Sequence, residues 1–261
     1  MTARCRPLLL SGGAAIVLAA CGSGPAATSA SPDPFGGSIT VFAASSLTNA
    51  FNTAEKGLEL DHTGFKATYS FAGSQALVTQ IISGAPADVI ATANTDTMAQ
   101  LTAKGLVETP QKFCQNKLEI IVAPGNPMNI KTLADLNNAG VKLVIGDPSV
   151  PVGEYVTDIE ASDGIHFTPV SLQLSDAAVL EQVESGDADA GLVFVTDVIA
   201  AGSKVTGVPI PDAQNKIGTY EIAAVKASAD LTAAAAFVTA AVSGDVQTEL
   251  RAAGFLPPPA S

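Results

Sequence analysis

Hydrophobic and polar positions change period repeatedly along this chain. Short apolar runs rich in β-branched residues fall at 39–43, 66–71, 88–93, 119–123, 141–145, 170–174 and 191–195, and each predicts a strand. Between them the period lengthens. Residues 75–83 carry Leu77, Ile81 and Ile82 on one helical face, and residues 176–185 carry Val179, Leu180 and Val183 in the same way. Further helical patterns cover 94–106, ended by Gly105, and 130–138, ended before Gly140. An Ala-rich pattern over 231–253 has Gly244 as a break and Gly254 as a stop. Strands alternating with helices predict an α/β fold with largely parallel sheets. The apolar, β-rich segments 117–124 and 216–225 are expected to be two crossings between two domains.

Two strand-to-helix corners share one construction. In ITVFAASSLTNAF (39–51) a strand-like run ends in Ser45 and Ser46 before a helical pattern starts, and in TYSFAGSQALVTQII (68–82) another ends at Gly73 and Ser74. The first N–H groups of a helix have no intrahelical acceptor and carry about half a positive charge, so such a corner accepts an anion. Each serine alone reads equally as an ordinary N-cap. The pair, in like surroundings, points to an oxyanion. Corners at 149–153 and 174–176 complete a set of four, two before Pro124 and two after it. Ligands of open α/β domains sit outside the carboxyl ends of the strands, so two such domains place the four corners across a cleft, as in a hinged binding protein.

The first 20 residues read differently from the rest. Arg4 and Arg6 precede an apolar run over 8–20 that Ser11, Gly12 and Gly13 interrupt, which is the pattern of an export signal and too short for a spanning helix of about 20 apolar residues. Leu18-Ala19-Ala20-Cys21 resembles the bacterial lipobox. That resemblance implies cleavage before Cys21, lipid on its sulfur and anchorage on the outer face of the cytoplasmic membrane. Residues 22–37, dominated by Gly, Ala, Ser and Pro, read as a tether. Without residues 1–20 the chain keeps 11 basic against 25 acidic residues, a net charge of −14, which excludes a nucleic-acid binder. Neutral dipoles can still hold an anion locally, since net charge acts on solubility and long-range encounter. Cys5 leaves with the signal and Cys21 is the lipidation site, so Cys114 has no partner for an internal disulfide.

VFAASSLTNAF, SFAGSQALVTQIISGAPADVIATA, VIGDPSVPVGEY and VESGDADAGLVF resemble, in order and spacing over residues 38–255, the molybdate-binding proteins of bacterial ABC importers. The resemblance implies a bilobed periplasmic-binding-protein fold of type II, two open α/β domains around a ligand cleft. Lobe I is then 38–122 with 219–261 and lobe II is 123–218, after a signal peptide (1–20) and a lipidated tether (21–37). It implies a monomer that holds dehydrated molybdate, with tungstate beside it, through hydroxyls and N–H groups, without metal ion or cofactor, and passes it to a permease and its ATPase. Carried over position by position, the binding residues are Ser46 and Ser74, each by hydroxyl and N–H, and the backbone of Val152 and of Asp176, with Ala177 one residue away as the alternative. The family's tyrosine hydroxyl is missing, because Phe194 stands there. A hydrogen bond to a charged group is worth about 1.5–3 kcal/mol, so its loss costs about tenfold to a hundredfold in affinity unless a neighbouring hydroxyl, a water or Tyr155 replaces it. The Asp176 carboxylate would repel a dianion and is expected to turn away and cap its own helix.

No enzymatic activity is expected. A serine-dependent α/β hydrolase needs a base beside Ser46, and the two histidines, His62 in DHTG and His166 in DGIHF, read as surface loop residues. No Cys or His cluster has metal-ligand spacing, Asp187 to Ala190 within SGDADAG lacks the Gly and terminal Glu of a calcium loop, and no Walker motif is present. Sulfate, or another oxyanion, is the alternative ligand within the binding class; a site made of donors only rejects protonated phosphate.

Overall fold

The computed structural model describes residues 33–260. The expected signal segment, Cys21 and the part of the expected tether up to residue 32 lie outside the described residues. Strands and helices follow in the order β1 (Ser38–Ala44), α1 (Thr48–Asp61), β2 (Lys66–Ala72), α2 (Ser74–Ile82), β3 (Val89–Thr92), α3 (Thr95–Ala103), β4 (Gln111–Val122), β5 (Leu143–Gly146), α4 (Pro151–Asp163), β6 (Ser171–Gln173), α5 (Asp176–Glu184), β7 (Ala190–Phe194), α6 (Val195–Ala201), β8 (Thr206–Pro209), β9 (Ile217–Ala224), α7 (Leu231–Ser243) and α8 (Val246–Ala252). Among the described residues no helix is long and apolar enough to cross a membrane.

The strands pair in the order β2-β1-β3-β9-β4-β7-β5-β6, with β8 also on β4. The 12-residue β4 belongs to two groups: residues 111–117 pair with β9, and residues 118–122 pair with β7, while 119–122 also pair with β8. The expected parallel pairing holds for β1 with β2 and β3, and for β5 with β6 and β7. It fails wherever β4 or β9 takes part, because these two run antiparallel to each other and to the strands they join, and the sheet is therefore mixed. The strand expected from Glu119 starts eight residues earlier at Gln111, because the polar residues of QKFCQNK are carried by the pairing with β9 rather than by an apolar pattern. The segment expected as a helix over 130–138 is a 3-10 turn, Leu133–Asn137.

Period-2 alternation puts successive residues of one strand into different cores. Val41 and Ala43 of β1 join Phe51 and Phe237 on one side of the sheet, while Phe42 joins Leu77, Ile81, Met98 and Leu101 beneath α2 and α3. Likewise Ile120 and Val122 of β4 face the large core, and Ile121 meets Val179, Val183 and Val193 beneath α5. With both faces covered, the strands leave their ends for the corners. Cys114 is buried and free, and burial pushes its thiol well above the usual range, so it serves as a small core residue.

Candidate functional site

Four corners meet at one point. Ala44, Gly73, Ser74, Ala93, Val150, Pro151, Val152, Ser175, Asp176 and Phe194 line a cavity of about 10 Å3, room for roughly one water. Ser74, Val152, Asp176 and Phe194, singled out in the sequence, are thus brought together. Ser46 is not among the lining residues; it follows the wall residue Ala44 by two positions in the chain.

Close packing of backbones builds this meeting. A Cβ on Gly73 would lie 2.2 Å from the carbonyl oxygen of Leu174, so the corner before α2 touches the corner before α5 with no room for a side chain. A Cβ on Gly153 would lie 2.0 Å from the carbonyl oxygen of Asp147, which presses the start of α4 against the end of β5. Two side-chain bonds tie the same faces: Ser45 Oγ donates to Asp176 Oδ1, and Asn94 Nδ2 donates to Glu154 Oε2.

Helix geometry leaves donors at the cavity. Pro151 takes the first position of α4, and the next N–H groups, of Val152 and Gly153, lack intrahelical acceptors. In α5 the N-cap is Ser175, whose Oγ accepts from Ala178 N–H at 3.1 Å, while the N–H groups of Asp176 and Ala177, which have no intrahelical acceptor, face the Asp176 carboxyl. Ser74 opens α2, and its Oγ accepts from Ala93 N–H at 3.1 Å, which leaves its own hydrogen to donate.

Ser46 Oγ is 2.9 Å from the hydroxyl of Tyr220. Asn116 Nδ2 donates to Thr196 Oγ1 at 2.9 Å and approaches the Tyr220 hydroxyl at 3.5 Å. An amide donor behind Tyr220 favours Tyr220 donating to Ser46, which in turn frees the Ser46 hydrogen to point onward. Tyr220 is fully buried, and burial with the nearby Asp176 charge holds its phenol well above the usual range, so it remains a hydroxyl. Its ring packs edge-on against Phe194, centroids 5.8 Å apart. The hydroxyl beside Ser46 is thus that of Tyr220, whereas Tyr155, expected as a substitute for the hydroxyl absent at Phe194, donates to the carbonyl of Ala93 at 3.0 Å. Sequence reasoning missed Tyr220 because β9 is far from every corner in the chain and its alternation marks Tyr220 only as a core residue.

The Asp176 side chain departs from expectation. It does not turn out to cap α5, a role that Ser175 already fills; it faces inward, 5% exposed, on the Ser45 hydroxyl and beside the N–H groups of its own residue and Ala177. A second buried carboxyl, Asp197, lies within hydrogen-bond reach of it and accepts from Phe194 N–H at 3.0 Å. Burial raises Asp176 above the usual carboxylate range, and burial with the facing Asp176 charge raises Asp197 well above it. Neither histidine touches Ser46 or Ser74: His62 stacks on Phe35 and bonds Asp33, and His166 is exposed beside Glu160.

Residues 39–256 match the model of the bacterial extracellular solute-binding protein family. The chain is 40% identical over 243 residues to the molybdate-binding protein ModA of Mycobacterium tuberculosis H37Rv, covering 92% of this chain and 93% of that protein. Its fold matches the periplasmic molybdate-binding protein of Azotobacter vinelandii with a TM-score of 0.74 at 20% identity, over 85% of this chain and all of that one. It also matches the sulfate-binding protein SubI of M. tuberculosis H37Rv with a TM-score of 0.76 at 21% identity, over 84% and 86% of the two chains.

Proposed function

The chain belongs to the bacterial extracellular solute-binding proteins, and from that premise we propose that it captures molybdate outside the cytoplasmic membrane and passes it to the permease and ATPase of an ABC importer. The observation that carries this reading is the convergence on one cavity of N–H groups from α2, α4 and α5 with the hydroxyl of Ser74, a set that offers hydrogen-bond donors from several directions. A tetrahedral oxyanion has acceptors on every side and needs such a set. Ser46 and Ser74 donate through their hydroxyls, and Val152 with Asp176 or Ala177 through backbone N–H; Tyr220 supports Ser46 in place of the absent hydroxyl at Phe194. Tungstate, nearly isosteric with molybdate, binds alongside it.

Residues 38–122 with 219–261 form one lobe and residues 123–218 the other, and the ligand favours the closed arrangement, in which both halves donate. The cavity of about 10 Å3 is smaller than a tetrahedral oxyanion, so entry of the anion requires the corners to separate or the Asp176 carboxyl to shift. Calorimetric titration of the purified protein with molybdate, tungstate, sulfate and phosphate is expected to give tight binding of the first two only. Sulfate binding alone would transfer the reading to a sulfate receptor, and binding of none would refute it.

Processing before Cys21 and lipid attachment to its sulfur hold this monomer at the outer face of the membrane. Cys21→Ala is expected to move the protein from the membrane fraction to the soluble fraction; unchanged membrane association would count against the anchor.

A further inference from the structure

Asp176 and Asp197 are a buried carboxyl pair that the binding reading does not use. They are 5% and 7% exposed, and among the described residues neither takes part in a salt bridge. Asp176 Oδ1 accepts from Ser45, while Asp176 Oδ2 is buried with no donor bonded to it. Asp197 Oδ2 accepts from Phe194 N–H, on the residue whose ring lines the same cavity. The titratable groups that face Asp176 are Asp197 from α6 and Tyr220 from β9. The Ser45 corner and strands β4, β5, β6 and β7, which also pack on α5, bring no charged group to it. Two carboxyls that face each other out of water with no cation beside them favour sharing a proton over both being ionised. Burial raises both acids, in agreement with that geometry.

An oxyanion in the cavity adds negative charge against Asp176, one of the lining residues. A second ionised group there is still less tolerable than before. We propose that capture of an oxyanion at this site takes up one further proton from solvent, and that Asp176, protonated with the help of Asp197, becomes an O–H donor to the bound anion. Asp197 O–H then bonds one Asp176 oxygen, Ser45 keeps its bond to that carboxyl, and the remaining Asp176 O–H points at the anion. The proposal rests on the oxyanion reading and makes Asp176 a specificity-determining side chain as well as a backbone donor. It favours a fully deprotonated anion, which only accepts hydrogen bonds, over one that carries its own hydrogen.

The test counts protons. Titrating the wild-type protein with molybdate near neutral pH, where molybdate stays fully deprotonated, in buffers of different ionisation enthalpy is expected to show close to one proton taken up per anion. Affinity then falls by up to about tenfold for each unit of rising pH. In Asp176→Asn the amide donates without a proton from solvent, so both the uptake and the pH slope are expected to vanish. Binding with no uptake in the wild type, or uptake that persists in Asp176→Asn, overturns the inference while leaving the oxyanion reading intact. Preference for hydrogen phosphate without uptake also overturns it, since Asp176 would then be an acceptor. Absence of binding by molybdate, tungstate, sulfate and phosphate alike refutes the oxyanion reading itself.

A ligand-free measurement bears on the pair alone. Acids raised in the folded state make it hold more protons than the unfolded chain, so stability falls as pH rises through the raised range. That fall is expected to be shallower in Asp197→Asn by chemical denaturation, and an unchanged profile would remove the shared proton.

Discussion

Gly73→Ala is expected to reduce molybdate affinity by about a hundredfold or more while the protein still folds. The backbone at Gly73 has φ −58° and ψ 137°, a conformation that alanine adopts without strain, so the substitution acts through contact alone. The new methyl, whose position the backbone fixes, would stand 2.2 Å from the Leu174 carbonyl oxygen, a backbone atom that cannot rotate aside. The corner carrying Ser74 must then withdraw from the one carrying Ser175 and Asp176. An anion spanning them loses donors on one side. With about 1.5–3 kcal/mol for each hydrogen bond to a charged group, losing two costs about 3–6 kcal/mol. Calorimetric titration measures the loss, and circular dichroism checks the fold. Affinity within about threefold of wild type would show that the two corners need not approach each other for capture.

The second large effect is expected from the serines. Ser74→Ala and Ser46→Ala each remove a hydroxyl donor and are expected to weaken molybdate binding about tenfold to a hundredfold. Their effects on stability should differ. Ser74 Oγ satisfies the buried Ala93 N–H, so its removal strands a backbone donor at a cost of about 1–3 kcal/mol, readable in denaturant unfolding. Ser46→Ala instead leaves the Tyr220 hydroxyl with only its long approach to Asn116. Tyr220→Phe is expected to weaken binding by less than Ser46→Ala, because it loosens the orientation of Ser46 without deleting the donor. A Tyr220→Phe loss as large as that of Ser46→Ala would make Tyr220 a direct ligand. The double serine variant need not show the sum of the single losses, since both groups serve one anion.

The relation of sequence to site differs from residue to residue. Ser74 was legible because a strand pattern, a glycine and a helical pattern meet there, and all three are local signals. Val152 was legible through GDPSVPVGEY, whose Pro151 marks the start of α4. Asp176 was placed at the start of its helix but its direction was not, because an acid in a first turn ordinarily faces solvent. What turned it inward was the approach of Ser45 from the end of β1, 131 residues earlier in the chain. Asp197 carried the same ordinary signal, an acid at the third position of a helix.

Residues close together in the chain set the alternation of strands and helices, the placing of serines and helix N-termini at strand ends, and the family resemblance. These depend on periods of two and 3.6 residues and on short motifs, which act within a few residues along the chain. That β4 and β9 run antiparallel and join the two strand groups emerges from long-range pairing. The same long-range packing stands Tyr220 and Asn116 behind Ser46 and brings two acids to one buried place. Such meetings are set by strand register and by how closely backbones approach at Gly73 and Gly153. A single strand or helix carries its own periodicity but not the identity of the group that will face it.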